Sequence, residues 1–138
     1  LLDRAVQTIG DKFYEAEWRF IDLRIAENIY EIAFENGAVN NERDKDKIDK
    51  KRVWWVQAES VVGFINAYEQ GGDTKFLEAA STVFEWIKNY QIDKRPGSEW
   101  WGEVDFDGKP MQTVDMVNPW KCPYHNGRMC IEVLNRKF

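Results

Sequence analysis

The stretch WWVQAESVVGFINAYEQGGDTKFLEAASTVFEW, residues 54–86, decides how the chain folds. Trp54, Ala58, Val61, Ile65 and Tyr68 recur at three- and four-residue steps, the period of a helix with an apolar face. Trp55, Glu59 and Asn66 fall on the neighbouring face. Gly71-Gly72 interrupts the pattern, because glycine readily takes the left-handed backbone that ends a helix. Asp73 is a good N-cap for a second helix, whose apolar side runs through Phe76, Ala80, Val83, Ile87 and Tyr90. Two helices joined by so tight a turn form an antiparallel pair.

Working outward, the upstream side repeats the helical signal. Over residues 14–36, Trp18, Ile21, Ile25, Ile29 and Ile32 form one apolar stripe and Phe20, Leu23, Tyr30 and Phe34 a second. A helix with two apolar faces is expected to be buried on both, as in a double layer of helices, and Gly37 to end it. Leu1 to Val6 also reads as helix with no capping residue ahead of it, so an upstream part is expected. Between the helices, VNNERDKDKIDKKR (residues 39–52) carries ten charges of mixed sign and reads as a solvated loop or a short exposed hairpin. Downstream, helical signals stop for about thirty residues. There EVDFDGKPM (103–111) alternates around Asp107-Gly108, the pair favoured in a type I′ hairpin turn. The last helix opens near Pro123, a residue suited to a first turn, and runs through Met129, Ile131 and Leu134. Helix pairs with tight turns on one side and long loops on the other predict an all-α toroid whose long loops gather at one end and build a site. Four to five helices cannot close such a ring alone.

The length of 138 residues suits one domain, and 43% apolar with 31% charged residues describes a soluble globular chain. A net charge of −5 gives no electrostatic footprint for nucleic acid. No run of about 18 apolar residues predicts a membrane span, and LLDRAVQTIG lacks the regions of a signal peptide. Cys122 and Cys130 are eight apart, on or beside one helix. About 12 Å of helical rise between them exceeds disulfide reach. They read as free thiols of a reducing compartment, the cytoplasm.

The chemistry concentrates in aromatic and titratable residues. Seven tryptophans are present, and Trp54-Trp55, Trp100-Trp101 and Trp120 fall at helix ends. Flat apolar faces with an N–H handle suit sugar rings; the alternative is that these indoles pack loops onto helices. NPWKCPYHNGRM (118–129) holds the single histidine, His125. In the first turn of a helix the dipole disfavours imidazolium, so a neutral, basic imidazole is expected, suited to proton transfer. A histidine that merely packs a turn is the competing reading. Glu59 lies one turn after Trp55, placed to bind a ligand, to hold a base in one tautomer, or simply to make a surface ion pair. Arg128 and Glu132 read as an i,i+4 ion pair. No zinc-ligand spacing, glycine-rich phosphate loop or serine nucleophile motif is present.

RVWWVQAES (52–60) followed by VVGFINAY, then WWGEVDFDGKP (100–110), then NPWKCPYHNGRMCIE (118–132), resemble in order the N-acylglucosamine 2-epimerase family, in particular members acting on β-1,4-linked disaccharides. The resemblance implies an (α/α)6 barrel, of which residues 1–138 are the C-terminal portion, in a monomeric full-length protein. It implies an isomerase inverting C2 of the reducing-end glucose of cellobiose or lactose through a cis-enediolate, without metal or nucleotide cofactor. It gives His125 the acid/base role and makes Glu59 required for activity. Trp54 and Trp55 become walls near the reducing end, and Trp120 a stacking surface for the other sugar. The family also carries a second catalytic histidine in a His-x-x-Glu pattern, which precedes the part matched here, so the isolated segment is expected to be inactive. The alternatives are an N-acylglucosamine epimerase and a non-catalytic carbohydrate-binding protein. A glycoside hydrolase needs two facing carboxylates, and Glu59 has no evident partner.

Overall fold

Helix α1 (Leu2–Ile9) and helix α2 (Lys12–Ile32) are separated at Gly10, where φ is +71°. Asp11 caps α2 by accepting a hydrogen bond from the Phe13 N–H at 2.9 Å. The computed structural model describes residues 2–111 and 115–136, and within them the predicted helical pair is the centre of the packing.

α2 stops earlier than its periodicity predicts. Residues 33–36 leave the helix because Asn36 and Gly37 both take positive φ, +53° and +78°. That is the backbone of a type I′ turn, and it pairs β1 (Phe34–Glu35) with β2 (Ala38–Val39). The Asn-Gly signal thus outweighs the apolar stripe that runs into it. The second correction concerns burial. Among the α2 residues only Ala26 is buried, while Phe13, Phe20, Ile21, Ile25 and Ile32 are exposed. One side of α2 rests on α3 and α1 packs against it as well, yet among the described residues these side chains stay uncovered.

The charged segment forms the hairpin that was one of its two expected states. β3 (Glu42–Asp44) pairs with β4 (Lys47–Asp49), with Lys45 left-handed at φ +53°. β5 (Arg52–Val53) then runs directly into α3 (Trp54–Gly71). Gly72 closes α3 in the left-handed region, its N–H bonded to Tyr68 O at 2.7 Å. Asp73 caps α4 (Thr74–Trp86) through the Lys75 N–H at 3.0 Å. Val61, Phe64 and Ile65 of α3 meet Phe76, Ala80 and Val83 of α4 in the core, and Met129 of the last helix joins the same cluster. α4 continues into one wide π turn, Ile87–Gln91.

β5, β6 (Glu103–Val104) and β7 (Pro110–Met111) make an antiparallel sheet. The predicted β6–β7 hairpin is present, but its turn is not type I′. Gly108 is left-handed at +91° and Asp107 is not. Instead the Asp105 carboxylate accepts from the N–H groups of Asp107 and Lys109, at 3.0 and 2.8 Å, and closes a five-residue loop. A buried Arg52 braces the sheet, donating to Asn40 Oδ1 at 2.6 Å and to Glu35 O at 2.7 Å. The buried Gln57 amide bonds both the N–H and the C=O of Val39, at 2.9 and 2.7 Å, and ties β2 to α3. The final helix, α5 (Tyr124–Leu134), begins after Pro123 and packs against α3.

Candidate functional site

α3 and α5 bring together three of the residues singled out in the sequence. Trp55 and Glu59 stand one helical turn apart on α3, and His125 occupies the first turn of α5. Glu59 Oε1 lies 2.9 Å from His125 Nδ1. The second carboxylate oxygen accepts from the Arg128 guanidinium, one turn further along α5. Burial pushes the Glu59 carboxyl upward, but the bonds from His125 and Arg128 outweigh it and hold the group below the usual carboxylate range. An ionised carboxylate only accepts, so Nδ1 carries the hydrogen and donates. In the neutral ring this tautomer puts the lone pair on Nε2, the arrangement of a proton acceptor.

The imidazole is flanked by aromatic rings. The Trp55 centroid lies 5.9 Å away with planes tilted by 41°, and Tyr124 meets it edge-on at 4.9 Å. The side chain is 31% exposed, so the ring can reach a solute. Trp55 and Glu59 open onto an apolar cleft of about 340 Å³ between α2, α3 and the β3–β4 hairpin, lined also by Ile25, Ile29 and Phe64. Asp22 lines this cleft too, with its carboxyl pushed up by burial.

The other predicted residues lie elsewhere. Trp54 turns toward the core cluster, its Nε1 buried without a hydrogen-bond partner. Trp100 packs on the same core, and Trp101 sits against Ala38, Trp86 and Val104 with Arg95 at 4.7 Å over its ring. Trp120 is 87% exposed, at the tip of the turn Asn118–Lys121 that leads to α5. The expected Arg128–Glu132 pair does not form. Arg128 reaches across to Glu59, while Glu132 lies 3.7 Å from Arg136. Helical spacing considers only partners on the same helix, and the partner on α3 wins. Cys122 and Cys130 are both exposed free thiols. Among the described residues, no helix is long and apolar enough to cross a membrane.

Sequence reasoning missed Arg128 as the second partner of Glu59. It also missed a cluster in which the buried Lys121 and Asn126 both bond the partly exposed Glu99 beneath the loop. A lysine inside the motif that carries Trp120 and His125 was the available signal. Its partner at Glu99 lies in a stretch without periodicity, so spacing could not find it.

Residues 16–126 match the N-acylglucosamine 2-epimerase (GlcNAc 2-epimerase) family. The chain is 60% identical over 136 residues to the cellobiose 2-epimerase of Ruminococcus albus, covering 99% of this chain and 35% of that protein. It is 46% identical over 138 residues to the cellobiose 2-epimerase of Dictyoglomus turgidum, again across 99% and 35%. Among solved structures, a sugar epimerase from a ruminal bacterium superposes with a TM-score of 0.96 at 59% identity, over 99% of this chain and 35% of that one. The cellobiose 2-epimerase of Bacillus thermoamylovorans superposes with a TM-score of 0.88 at 41% identity, over 98% and 34%. Those structures are (α/α)6 barrels, and the helices and short strands described above are part of that architecture. The chain spans about a third of the length of these relatives. By sequence and by fold, it belongs to the N-acylglucosamine 2-epimerase family.

Proposed function

We propose that these residues are the C-terminal portion of a single (α/α)6-barrel catalytic domain. Its reaction is inversion of C2 in the reducing-end glucose of β-1,4-linked disaccharides such as cellobiose and lactose. The observation that carries this reading is the Glu59–His125 bond at 2.9 Å beside Trp55. The C2 proton becomes acidic only when the ring opens and C1 is a carbonyl. His125 Nε2 accepts or returns that proton, and the intermediate is a cis-enediolate. Glu59 holds Nδ1–H and stabilises the imidazolium formed during transfer. Inversion needs a proton delivered to the opposite face, so a second acid/base group is required. This chain has one histidine, so on this reading the second acid/base group is supplied by the rest of the enzyme, and the His-x-x-Glu pattern of the resembled family supports that. Trp55 offers a face to the reducing-end sugar, and the exposed indole of Trp120 offers one to the next sugar.

The test uses the full-length protein with cellobiose in deuterated water. Loss of the C2 proton signal and appearance of the 2-epimer are expected. His125→Ala should abolish the exchange while cellobiose binding, followed by calorimetry, persists. Exchange at the ordinary rate in that variant would remove His125 from the mechanism.

A second reading, action on N-acylglucosamine, is supported by 32% identity over 87 residues to the N-acylglucosamine 2-epimerase of Bos taurus. Trp120 favours the disaccharide, since a monosaccharide leaves so exposed an indole idle. Faster turnover of N-acetylglucosamine than of cellobiose would reverse the order.

A further inference from the structure

Three segments meet beneath the loop that enters α5. Lys121 is only 1% exposed. Its Nζ donates to the Glu99 carboxylate and to Met116 O, the latter at 2.7 Å. The other Glu99 oxygen accepts from the side-chain amide of Asn126, the residue after His125. The backbone of Lys121 also closes a turn. Asn118 and Lys121 exchange N–H and C=O bonds at 3.1 Å. Asn118 Oδ1 accepts from the N–H groups of Trp120 and Lys121 at 2.9 Å. Asn at the first position and Pro119 at the second are what a tight turn favours. Trp120 is thereby lifted into solvent on a stiff support.

Burying a lysine is costly unless it is paired; here the lysine is buried while its partner Glu99 stays 27% exposed, so the pair adds little net stability. What such a pair supplies is one fixed geometry. Here a single carboxylate holds the indole platform through one oxygen and the first turn of the histidine helix through the other.

We infer that Glu99, acting through Lys121 and Asn126, is a positioning residue that fixes the separation of Trp120 from His125 and so selects sugar chains long enough to span both. The selection rests on the reading of Trp120 and His125 given above. The full-length protein is compared as wild type, Trp120→Ala, Lys121→Met and the double variant, with cellobiose and with glucose. Lys121→Met should raise KM for cellobiose about tenfold with kcat nearly unchanged, and should add nothing further in the Trp120→Ala background. Glu99→Gln, which keeps the shape and loses the charge, should lower the cellobiose-to-glucose ratio of kcat/KM by about tenfold. Additive effects of Lys121→Met and Trp120→Ala, or an unchanged ratio in Glu99→Gln, overturn the inference. If Lys121→Met alone does not fold, the pair Glu99→Gln with Lys121→Met removes both charges and is read against Trp120→Ala in the same way. Should the wild type exchange no C2 proton, the proposed reaction fails. The same cycle is then read in cellobiose affinity by tryptophan fluorescence, where non-additivity supports the positioning role and additivity overturns it.

Discussion

Glu59 uses one oxygen for His125 and the other for Arg128, so its two bonds fix both its own orientation and that of the imidazole. Glu59→Gln replaces an obligate acceptor with a group that can also donate. The amide can then impose the opposite tautomer and block Nε2. A fall in kcat of about 100-fold with KM little changed is expected from steady-state kinetics. The same carboxyl sits below its usual range in the folded protein. Its contribution to stability is therefore present above the unfolded value, about 4.3, and is lost as pH falls through the lower folded value. Urea denaturation should show the wild type's advantage over Glu59→Gln at pH 7, and that advantage should shrink in strong acid. The Trp55–Glu59 spacing and the helical position of His125 were legible in the sequence because each is a local property. The role of Arg128 was not, since its partner is 69 residues away. Nor was the direction of Trp54, because both members of a tryptophan pair look alike until the core chooses one.

At the scale of elements, two glycine turns test different costs. Gly37 has φ +78°, and an added Cβ would touch Thr82 and Trp86 only at an ordinary 3.6 Å. Gly37→Ala should cost the left-handed penalty alone, about 1 kcal/mol. Gly108 has φ +91°, and a Cβ there would run into the ring of Tyr90. That ring would have to leave its contact with Trp86, whose centroid is 5.3 Å away. Gly108→Ala should therefore destabilise more than Gly37→Ala in urea titrations; the reverse order would refute the steric argument. These turns also show where reading a sequence succeeds and fails. The helical pair was legible from periodicity, with its glycine stop and aspartate cap. The β1–β2 hairpin was not, because an apolar stripe ran into Asn36-Gly37 and hid the turn. The β6–β7 hairpin was legible, but its turn type was not, because the Asp105 side chain supplies closure that a dipeptide rule ignores.

For the whole molecule, the consequence lies in surface that is apolar and open. Phe13, Phe20, Ile21, Ile25 and Ile32 are exposed along α2, in a chain about a third as long as its relatives. Double burial of this helix was predicted from its two stripes, and among the described residues these side chains stay uncovered. The isolated chain should bind a hydrophobic dye such as ANS strongly and show no C2 exchange with cellobiose. The full-length protein should bind far less dye, and strong binding by both would place this face outside the barrel packing. A last consequence comes from the joint where β5 becomes α3 without an intervening residue, with the Trp54 N–H bonded to Gly102 O at 3.1 Å. One residue inserted between Val53 and Trp54 would swing α3 through about 100°, carrying Trp55 and Glu59 off the cleft together. The loop over residues 105–109 could absorb the same insertion locally. Length variation among homologues should therefore collect in that loop and spare the joint, which makes the junction a ruler against which insertions and deletions are counted.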